Sequence, residues 1–415
     1  MKHAGKNTRL NRRALLRQGA LASLGIGLLP LPGTAQPAPH ARAEVRRYGP
    51  LGHTGMRMSD ISFGSSRLHA GEEALVLHAY DRGVNYFDTA ESYTGGEAET
   101  TLGNALHDKR DKVYIASKVS AGASARKEAL MADLEGSLQR LRTDYVDVYF
   151  NHAVNDVRRL QNPEWYEFTE RARRQGKIRA TGMSGHAGHL IECLDYALEA
   201  GRVDVILVAY NFGQDPAFYQ RFTGAFDFIA RQPDLPRVLR QAKAKGVGVV
   251  AMKTLMGARL NDMRPFEKGG ATFAQAAFRW VLSNTDVDGL IISMKSREGI
   301  NEYLGASGWR SAAHGDLTLL QRYARMHGTS YCRHGCNDCA GTCPYGVPIA
   351  DVLRTRMYAQ DYGDMQLARS AYAQLGAGAS PCLTCAEPPC AQACPHGLPI
   401  DKLLAPMHQM LVQQA

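Results

Sequence analysis

Eight short apolar runs recur along the middle of the chain, and that repetition limits the available folds more than any single residue does. They are Ile61–Ser65, Tyr86–Thr89, Val113–Lys118, Val146–Asn151, Ile178–Met183, Val205–Tyr210, Val247–Lys253 and Gly289–Ser293. As a set they are rich in Val and Ile, the pattern of parallel strands buried on both faces. Helical patterns separate them. In Arg126–Arg142, the residues Leu130, Leu134, Leu138 and Leu141 return to one face at helical spacing. Gly176 and Gly246 close two further helical runs just before the next strand. Eight strand–helix units fit a (β/α)8 barrel, which takes about 250 residues. The rival is a doubly wound sheet, but no Gly-x-Gly-x-x-Gly follows the first strand. The fold class expected is therefore α/β, a (β/α)8 TIM barrel over residues 44–312, with a small unit at 313–415.

In such a barrel, chemistry sits where strands give way to loops. Asp88, Lys118, His152 and Ser184 all fall at or just past the ends of the second to fifth strands. Tyr93 follows Asp88 by five residues and is succeeded by the glycine pair Gly95-Gly96. Singly, each has a structural reading: Asp88 as a helix cap, Tyr93 as rim packing, Lys118 as a buried cation held by Asp88. Together they supply what carbonyl reduction needs. Hydride delivery leaves an alkoxide that Tyr93 can protonate, although a free phenol with a pKa of about 10 is a weak acid at neutral pH. Lys118 is expected to lower that pKa, Asp88 to hold Lys118, and His152 to hydrogen-bond the carbonyl.

Charge narrows the partners. The chain has 415 residues and a net charge of +9, but residues 1–35 hold six basic side chains and no acid, leaving +3 for the rest. That balance gives no electrostatic case for nucleic acid. The basic head precedes the apolar run Ala20–Leu31, which is too short and glycine-rich to span a bilayer of roughly 30 Å. No transmembrane segment is expected in the mature protein. Small residues follow, as in a removable export signal. Arg12-Arg13 resembles the pair of a twin-arginine signal, with an ordinary secretory signal or a basic tail as alternatives. Residues 1–43 are thus expected to be signal and linker, cleaved near Ala35 or Ala43, placing the protein in the periplasm.

Of nine cysteines, eight lie in the last 84 residues. They form Cys332-x3-Cys336-x2-Cys339-x3-Cys343-Pro344 and Cys382-x2-Cys385-x4-Cys390-x3-Cys394-Pro395. Two runs of four, each ending Cys-Pro, match the bacterial ferredoxin pattern for two [4Fe–4S] clusters. In that pattern the fourth Cys crosses to the other cluster. Cys332, Cys336, Cys339 and Cys394 are then one set, and Cys382, Cys385, Cys390 and Cys343 the other. Two all-cysteine zinc sites and disulfides are the rivals. Gly346-Val347-Pro348-Ile349 and Gly397-Leu398-Pro399-Ile400 follow the two runs and mark an internal duplication. The remaining cysteine, Cys193, shares a helical face with Leu190, Leu194 and Ala197 and reads as core.

From about residue 46 to 310 the chain resembles the aldo/keto reductases. The resemblance rests on the opening Arg47–Gly55, the Asp88–Tyr93 motif, Lys118, Asp147–His152 and Gly176–Ser184. It implies a catalytic tetrad of Asp88, Tyr93, Lys118 and His152 acting on a small carbonyl or alcohol. It also implies a nicotinamide dinucleotide, NADP(H) or NAD(H), contacted by Ser184, Lys253, Ser293, Lys295, Ser296, Arg297 and Glu302. Solvated charges at a helix start remain the alternative for Lys295 and Arg297. Three positions depart from the family: Gly185 stands for an Asn, Leu207 for a Gln and Met252 for an aromatic. Barrel plus tail resembles the ferredoxin-bearing branch of the family, which shares Met-Lys in the seventh strand.

Two functions follow. One is an exported oxidoreductase. The other is a catalytically silent barrel serving as an iron–sulfur electron-transfer or partner-binding module, with a redox partner protein. Nicotinamide moves two electrons as hydride while a [4Fe–4S] cluster usually moves one, so direct coupling needs a converter, and no flavin motif is evident.

Overall fold

Strands appear where the apolar runs place them and close into a ring. The structure is a computed structural model that describes residues 43–213, 232–256, 263–267, 270–327, 332, 336–360 and 365–412. The expected export signal lies outside the described residues, save its last residue. Hairpin strands β1 (Tyr48–Pro50) and β2 (Arg57–Ser59) pair antiparallel. The barrel strands are β3 (Ile61–Gly64), β4 (Tyr86–Asp88), β5 (Tyr114–Val119), β6 (Val146–Asn151), β7 (Ile178–Gly185), β8 (Val205–Ala209), β9 (Gly248–Met252) and β10 (Gly289–Ser293). They form a closed parallel barrel in sequence order, with β10 pairing back to β3.

Between the strands lie helices α1 (Glu73–Asp81), α2 (Glu97–Leu106), α3 (Lys127–Leu141), α4 (Val157–Gln161), α5 (Pro163–Arg174), α6 (Leu190–Ala200), α7 (Leu235–Ala244) and α8 (Phe273–Ser283), and α9 (Arg297–Leu304) follows the last strand. α3 buries Leu130, Leu134, Leu138 and Leu141 as the periodicity requires. The barrel interior is filled by Tyr86, Val148, Phe150, Leu207 and Val250, and Leu51, Met56 and Met58 from the hairpin segment pack with them. A filled interior leaves only the strand ends for chemistry.

α10 (His314–His327) belongs to the barrel by packing. Leu320, Tyr323 and Ala324 lie in the barrel's main core cluster, and the Tyr323 ring stacks on Phe273 with centroids 4.3 Å apart. The barrel's main apolar cluster therefore takes in residues of this helix. Its apolar face had no strand beside it in sequence to mark it as barrel.

The cysteine-rich region contributes α11 (Ile349–Gln360), α12 (Met365–Ala373) and α13 (Ile400–Val412), with its own apolar core. The duplication is visible in the backbone. Gly346 and Gly397 adopt φ of +68° and +72°, and each N–H donates to the carbonyl of the fourth cysteine of its run, both at 3.1 Å. An acid, Asp351 or Asp401, then stands in the first turn of the following helix.

Candidate active site

Strand register brings Asp88 and Lys118 together. Asp88 stands opposite Ala116 across β4–β5, and Lys118, two residues on, shares the inward face of Ala116. Lys118 Nζ donates to Asp88 Oδ1 at 2.6 Å and to the backbone carbonyl of Thr89. Both side chains are 1% exposed, so the pair is fully desolvated. Burial raises the Asp88 carboxyl and lowers the Lys118 ammonium, and their mutual attraction opposes both shifts.

Tyr93 reaches the pair through a tight loop. Thr94, Gly95 and Gly96 all take positive φ, at 50°, 67° and 95°. Thr94 Oγ1 donates to the Leu68 carbonyl and accepts from Ala98 N–H, tying this loop to the barrel rim and to α2. Lys118 Nζ lies 4.8 Å from the centre of the Tyr93 ring. The tyrosine's ionisation runs opposite to the sequence expectation. Burial, and then the charge of Asp88, push the phenol well above its ordinary value. With Lys118 committed to Asp88 and Thr89, desolvation wins, and Tyr93 remains a protonated donor.

His152 follows β6 and completes the group. Its ring stands edge-on to Tyr93, with centroids 5.6 Å apart at 77°. Burial, then Lys118, Arg159 and Lys253, hold it well below the ordinary imidazole value, so it is neutral. Ser184 supports this segment: its Oγ accepts from Ala153 N–H at 2.9 Å, and Ala153 itself has a φ of 51°. The serine thus orients the chain after His152 as well as lining the cavity.

Asp88, Tyr93, Lys118 and His152 line a single cavity of about 470 Å³. Its wall is not made by the barrel alone. Tyr358 from α11 and Leu367, Ser370 and Ala371 from α12 also line it. Tyr358, together with Arg67 and His186, was invisible to sequence reasoning as a site residue. It lies in the tail, and no motif links it to the barrel strands.

Residues 61–310 match the aldo/keto reductase family. The chain belongs to that family. Such proteins are oxidoreductases, and this one is an enzyme of that class. It is similar to the L-galactose dehydrogenase of Arabidopsis thaliana, 25% identical over 295 residues, covering 62% of this chain and 86% of the relative. An aldo-keto reductase from Bacillus halodurans, solved in a holo form, is 21% identical with a TM-score of 0.52. The match covers 66% of this chain and 95% of that one, and bears on the fold alone.

Family membership sharpens the question of where a dinucleotide fits in this reductase. Ser293, Lys295 and Ser296 line the cavity beside Gly299. Ser293 Oγ is 2.7 Å from Ser66 Oγ, and Ser296 caps α9 by accepting from Gly299 N–H. Arg297 is exposed at the helix start and, like Glu302, is not among the lining residues. The backbone carbonyl of Glu302 accepts from Gln275. A helix start with serines and a lysine suits a phosphate. At the other end the departures have structural causes. A Cβ on Gly185 would come within 2.6 Å of Leu190 Cδ1 and 3.1 Å of the Val154 carbonyl, so packing keeps this position bare. Leu207 is 1% exposed in the barrel-interior cluster, and Met252 packs against that cluster. Lys253 lines the cavity in a left-handed conformation, φ 55°, and burial followed by Arg354 lowers its ammonium to about 7.

Among the described residues, none of the nine cysteines forms a disulfide. Eight fall into two groups by mutual influence. Burial first, with Cys336, Cys339 and Cys394 adding, pushes the Cys332 thiol up to about 12. Cys382 rises to about 11 through burial and then Cys343, Cys390 and Cys385. Each run's fourth cysteine thus acts on the other run. Among the described residues no three His, Cys, Asp or Glu side chains close tightly enough to hold a single metal ion. Cys193 is buried in α6 with Leu190, Leu194 and Ala197, as a core residue.

Proposed function

We propose that this exported oxidoreductase reduces a small carbonyl compound at the barrel cavity, with Tyr93 as proton donor and two [4Fe–4S] clusters in the cysteine-rich region. One observation carries the reaction: a desolvated Asp88–Lys118 pair, the Tyr93 phenol and a neutral His152 meet in one cavity. Protonated Tyr93 and neutral His152 can both donate to a carbonyl oxygen, which polarises it. As negative charge builds there, Tyr93 gives up its proton. The phenolate left behind faces Lys118, whose charge offsets it at the moment it forms. Bound NAD(P)H, the usual cofactor of this family, supplies the hydride.

Ser293, Lys295, Ser296, Arg297 and Glu302 would hold the phosphate and adenine end of the dinucleotide, and Ser184 and Lys253 the nicotinamide end. Cys332, Cys336, Cys339 and Cys394 would hold one cluster and Cys343, Cys382, Cys385 and Cys390 the other, all-thiol sets of the soft kind iron–sulfur clusters require. The basic head with Arg12-Arg13 supports export of the loaded, folded protein to the periplasm, with cleavage near Ala35 or Ala43. On this reading residues 1–43 are the signal and linker, 44–312 the barrel unit and 313–415 the extension, whose first helix, α10, packs on the barrel core, and a redox protein is a candidate partner. The silent-barrel reading draws on Gly185 and Leu207, which place no hydrogen-bonding side chain where the family has two.

A turnover comparison tests the proposal. Anaerobically purified wild type and Tyr93→Phe are assayed on a broad carbonyl panel with NADPH, NADH and reduced viologen as donors. The proposal expects wild-type turnover that falls by about 10²–10⁴ in the variant. Absence of turnover with every donor overturns it in favour of the silent barrel.

A further inference from the structure

The two halves of the cysteine-rich region share one plan but place their charges differently. Gly346-Val347-Pro348-Ile349 and Gly397-Leu398-Pro399-Ile400 set the register between them. In that register Arg354 on α11 corresponds to Ala405 on α13, Asp351 to Lys402, and Ala350 to Asp401. At these three positions each helix carries one acid and one base. What differs is which of the two sits against the cysteines.

Beside the first run the base is inside. Arg354 is 3% exposed, and it donates to the Cys336 backbone carbonyl and to Asp351 Oδ1, both at 2.6 Å. Its buried Nε N–H has no hydrogen-bond partner among the described residues. Native interiors seldom leave a buried donor unpaired, and on a charged group the cost is greatest. Burial raises the Cys332 and Cys339 thiols, and the charge of Arg354 opposes that rise at both. The acid that pairs with it, Asp351, has a side chain 32% exposed, so water screens the carboxylate more than the guanidinium.

Beside the second set the acid is inside. Cys343, Cys382, Cys385 and Cys390 line one small cavity, and Asp401 lines it with them. Burial raises the Cys390 thiol, and Asp401 is among the charges that add to the rise. The base of this helix, Lys402, is exposed. Asp338 and Glu387, one in each run, are both exposed and so do not distinguish the two sets.

These donor sets fit the clusters proposed above. The second offers four thiols around one cavity, and the first offers three buried thiols beside a charged donor with an unused N–H. Reduction adds negative charge to a cluster that thiolates already make anionic, so a buried cation favours it and an acid opposes it. We propose that Arg354 and Asp401 split the reduction potentials of the two clusters, so that the one held by Cys332, Cys336, Cys339 and Cys394 is reduced first. The inference rests on the cluster assignment above and adds the order in which the clusters fill. An electron taken from a one-electron donor then rests beside α11, the helix that also brings Tyr358 to the barrel cavity.

A redox titration of the full-length, iron-loaded protein, followed by electron paramagnetic resonance, tests the order. Cys332→Ser and Cys382→Ser assign each spectrum to its set, and iron content and circular dichroism are checked for every variant. Wild type should titrate in two steps, the upper one belonging to the Cys332 set. Arg354→Met should lower the upper step by at least about 59 mV, a tenfold change in a one-electron equilibrium, and leave the lower step in place. Arg354→Lys, which keeps the charge, should move the upper step by less than half as much. Asp401→Asn should raise the lower step by at least threefold in the same equilibrium. If Arg354→Met fails to hold iron, Arg354→Lys and Asp401→Asn decide. Coincident steps in wild type, or first reduction at the Cys382 set, overturn the proposal while leaving the clusters in place. So do an upper step unmoved in Arg354→Met, a loss as large in Arg354→Lys, or a lower step unmoved in Asp401→Asn. Colourless protein, or zinc in place of iron, sinks the cluster assignment itself.

Discussion

Replacing Asp88 by Asn keeps the shape of the buried pair and removes one of its charges. Lys118 is then left 1% exposed, its nearest partners the introduced amide and the Thr89 carbonyl. Breaking a buried pair by removing one partner costs about 3–5 kcal/mol, because the remaining charge has lost its countercharge in a desolvated site. With a urea dependence of ~3 kcal/mol per molar for a domain of this size, the unfolding midpoint should fall by about 1–1.7 M. Tryptophan fluorescence is a suitable probe, since all three tryptophans, Trp165, Trp280 and Trp309, lie in the barrel region. The decisive comparison is Asp88→Asn/Lys118→Met. Removing both charges should restore most of the lost stability, since replacing a buried pair by apolar atoms is often neutral, whereas carbonyl turnover should stay lost. A midpoint shift under about 0.3 M for the single variant, equivalent to ~1 kcal/mol, would refute the reasoning. So would a double variant as unstable as the single one.

Glu91 offers a pH test. Burial, then Asp133, push its carboxyl up from 4.5 to about 7. A carboxyl raised on folding binds its proton more tightly in the native state, so stability falls as pH rises from about 4.5 to about 7. Over that window Glu91 should cost about 1–3 kcal/mol after allowance for its partial exposure, and urea midpoints for Glu91→Gln should fall less between pH 5 and pH 8 than those of wild type. Gly185→Asn should destabilise the barrel by about 1–3 kcal/mol through overpacking, read as a lowered urea midpoint. A midpoint at or above wild type with tighter NADPH binding would instead mean that the glycine is dispensable. For the tail, anaerobically purified wild type should be brown, bleach with dithionite and contain about eight irons. Cys332→Ser and Cys394→Ser should give matching electron paramagnetic resonance spectra after reduction, distinct from a matching pair of spectra for Cys343→Ser and Cys382→Ser; pairing by run would undo the crossed assignment, and colourless protein carrying zinc would undo the clusters.

Much of the barrel could be read in advance because burial on both faces forces a simple composition. Val146–Asn151 and Gly289–Ser293 appear with the bounds their apolar runs suggest, and the other strands differ by a residue or two at their ends. Hydrogen-bonding context, which composition does not carry, sets those ends: β7 runs on through Ser184 and Gly185 because both pair with β8. The same period of two put Asp88 and Lys118 on one inward face, so their meeting was legible too. What eluded the sequence depends on three-dimensional neighbours. The raised pKa of the Tyr93 phenol follows from its burial, with Lys118 engaged by Asp88 and Thr89. The bareness of Gly185 follows from Leu190 and Val154 closing over it. Tyr358 enters the site only because the cysteine-rich helices cover the cavity, and nothing in its local sequence marks it. α10 reads as tail by position and packs as barrel through Tyr323 on Phe273.

The central claim, that the Asp88, Lys118, Tyr93 and His152 constellation reduces a carbonyl by hydride transfer, can be followed atom by atom. NADPH deuterated at the transferable position of its nicotinamide ring is supplied with a carbonyl substrate to anaerobically purified wild type, and the alcohol is examined by mass spectrometry. The account predicts one deuterium on the carbinol carbon, formed at a rate that collapses in Tyr93→Phe. Alcohol formed without deuterium, or formed as fast by Tyr93→Phe, would contradict it.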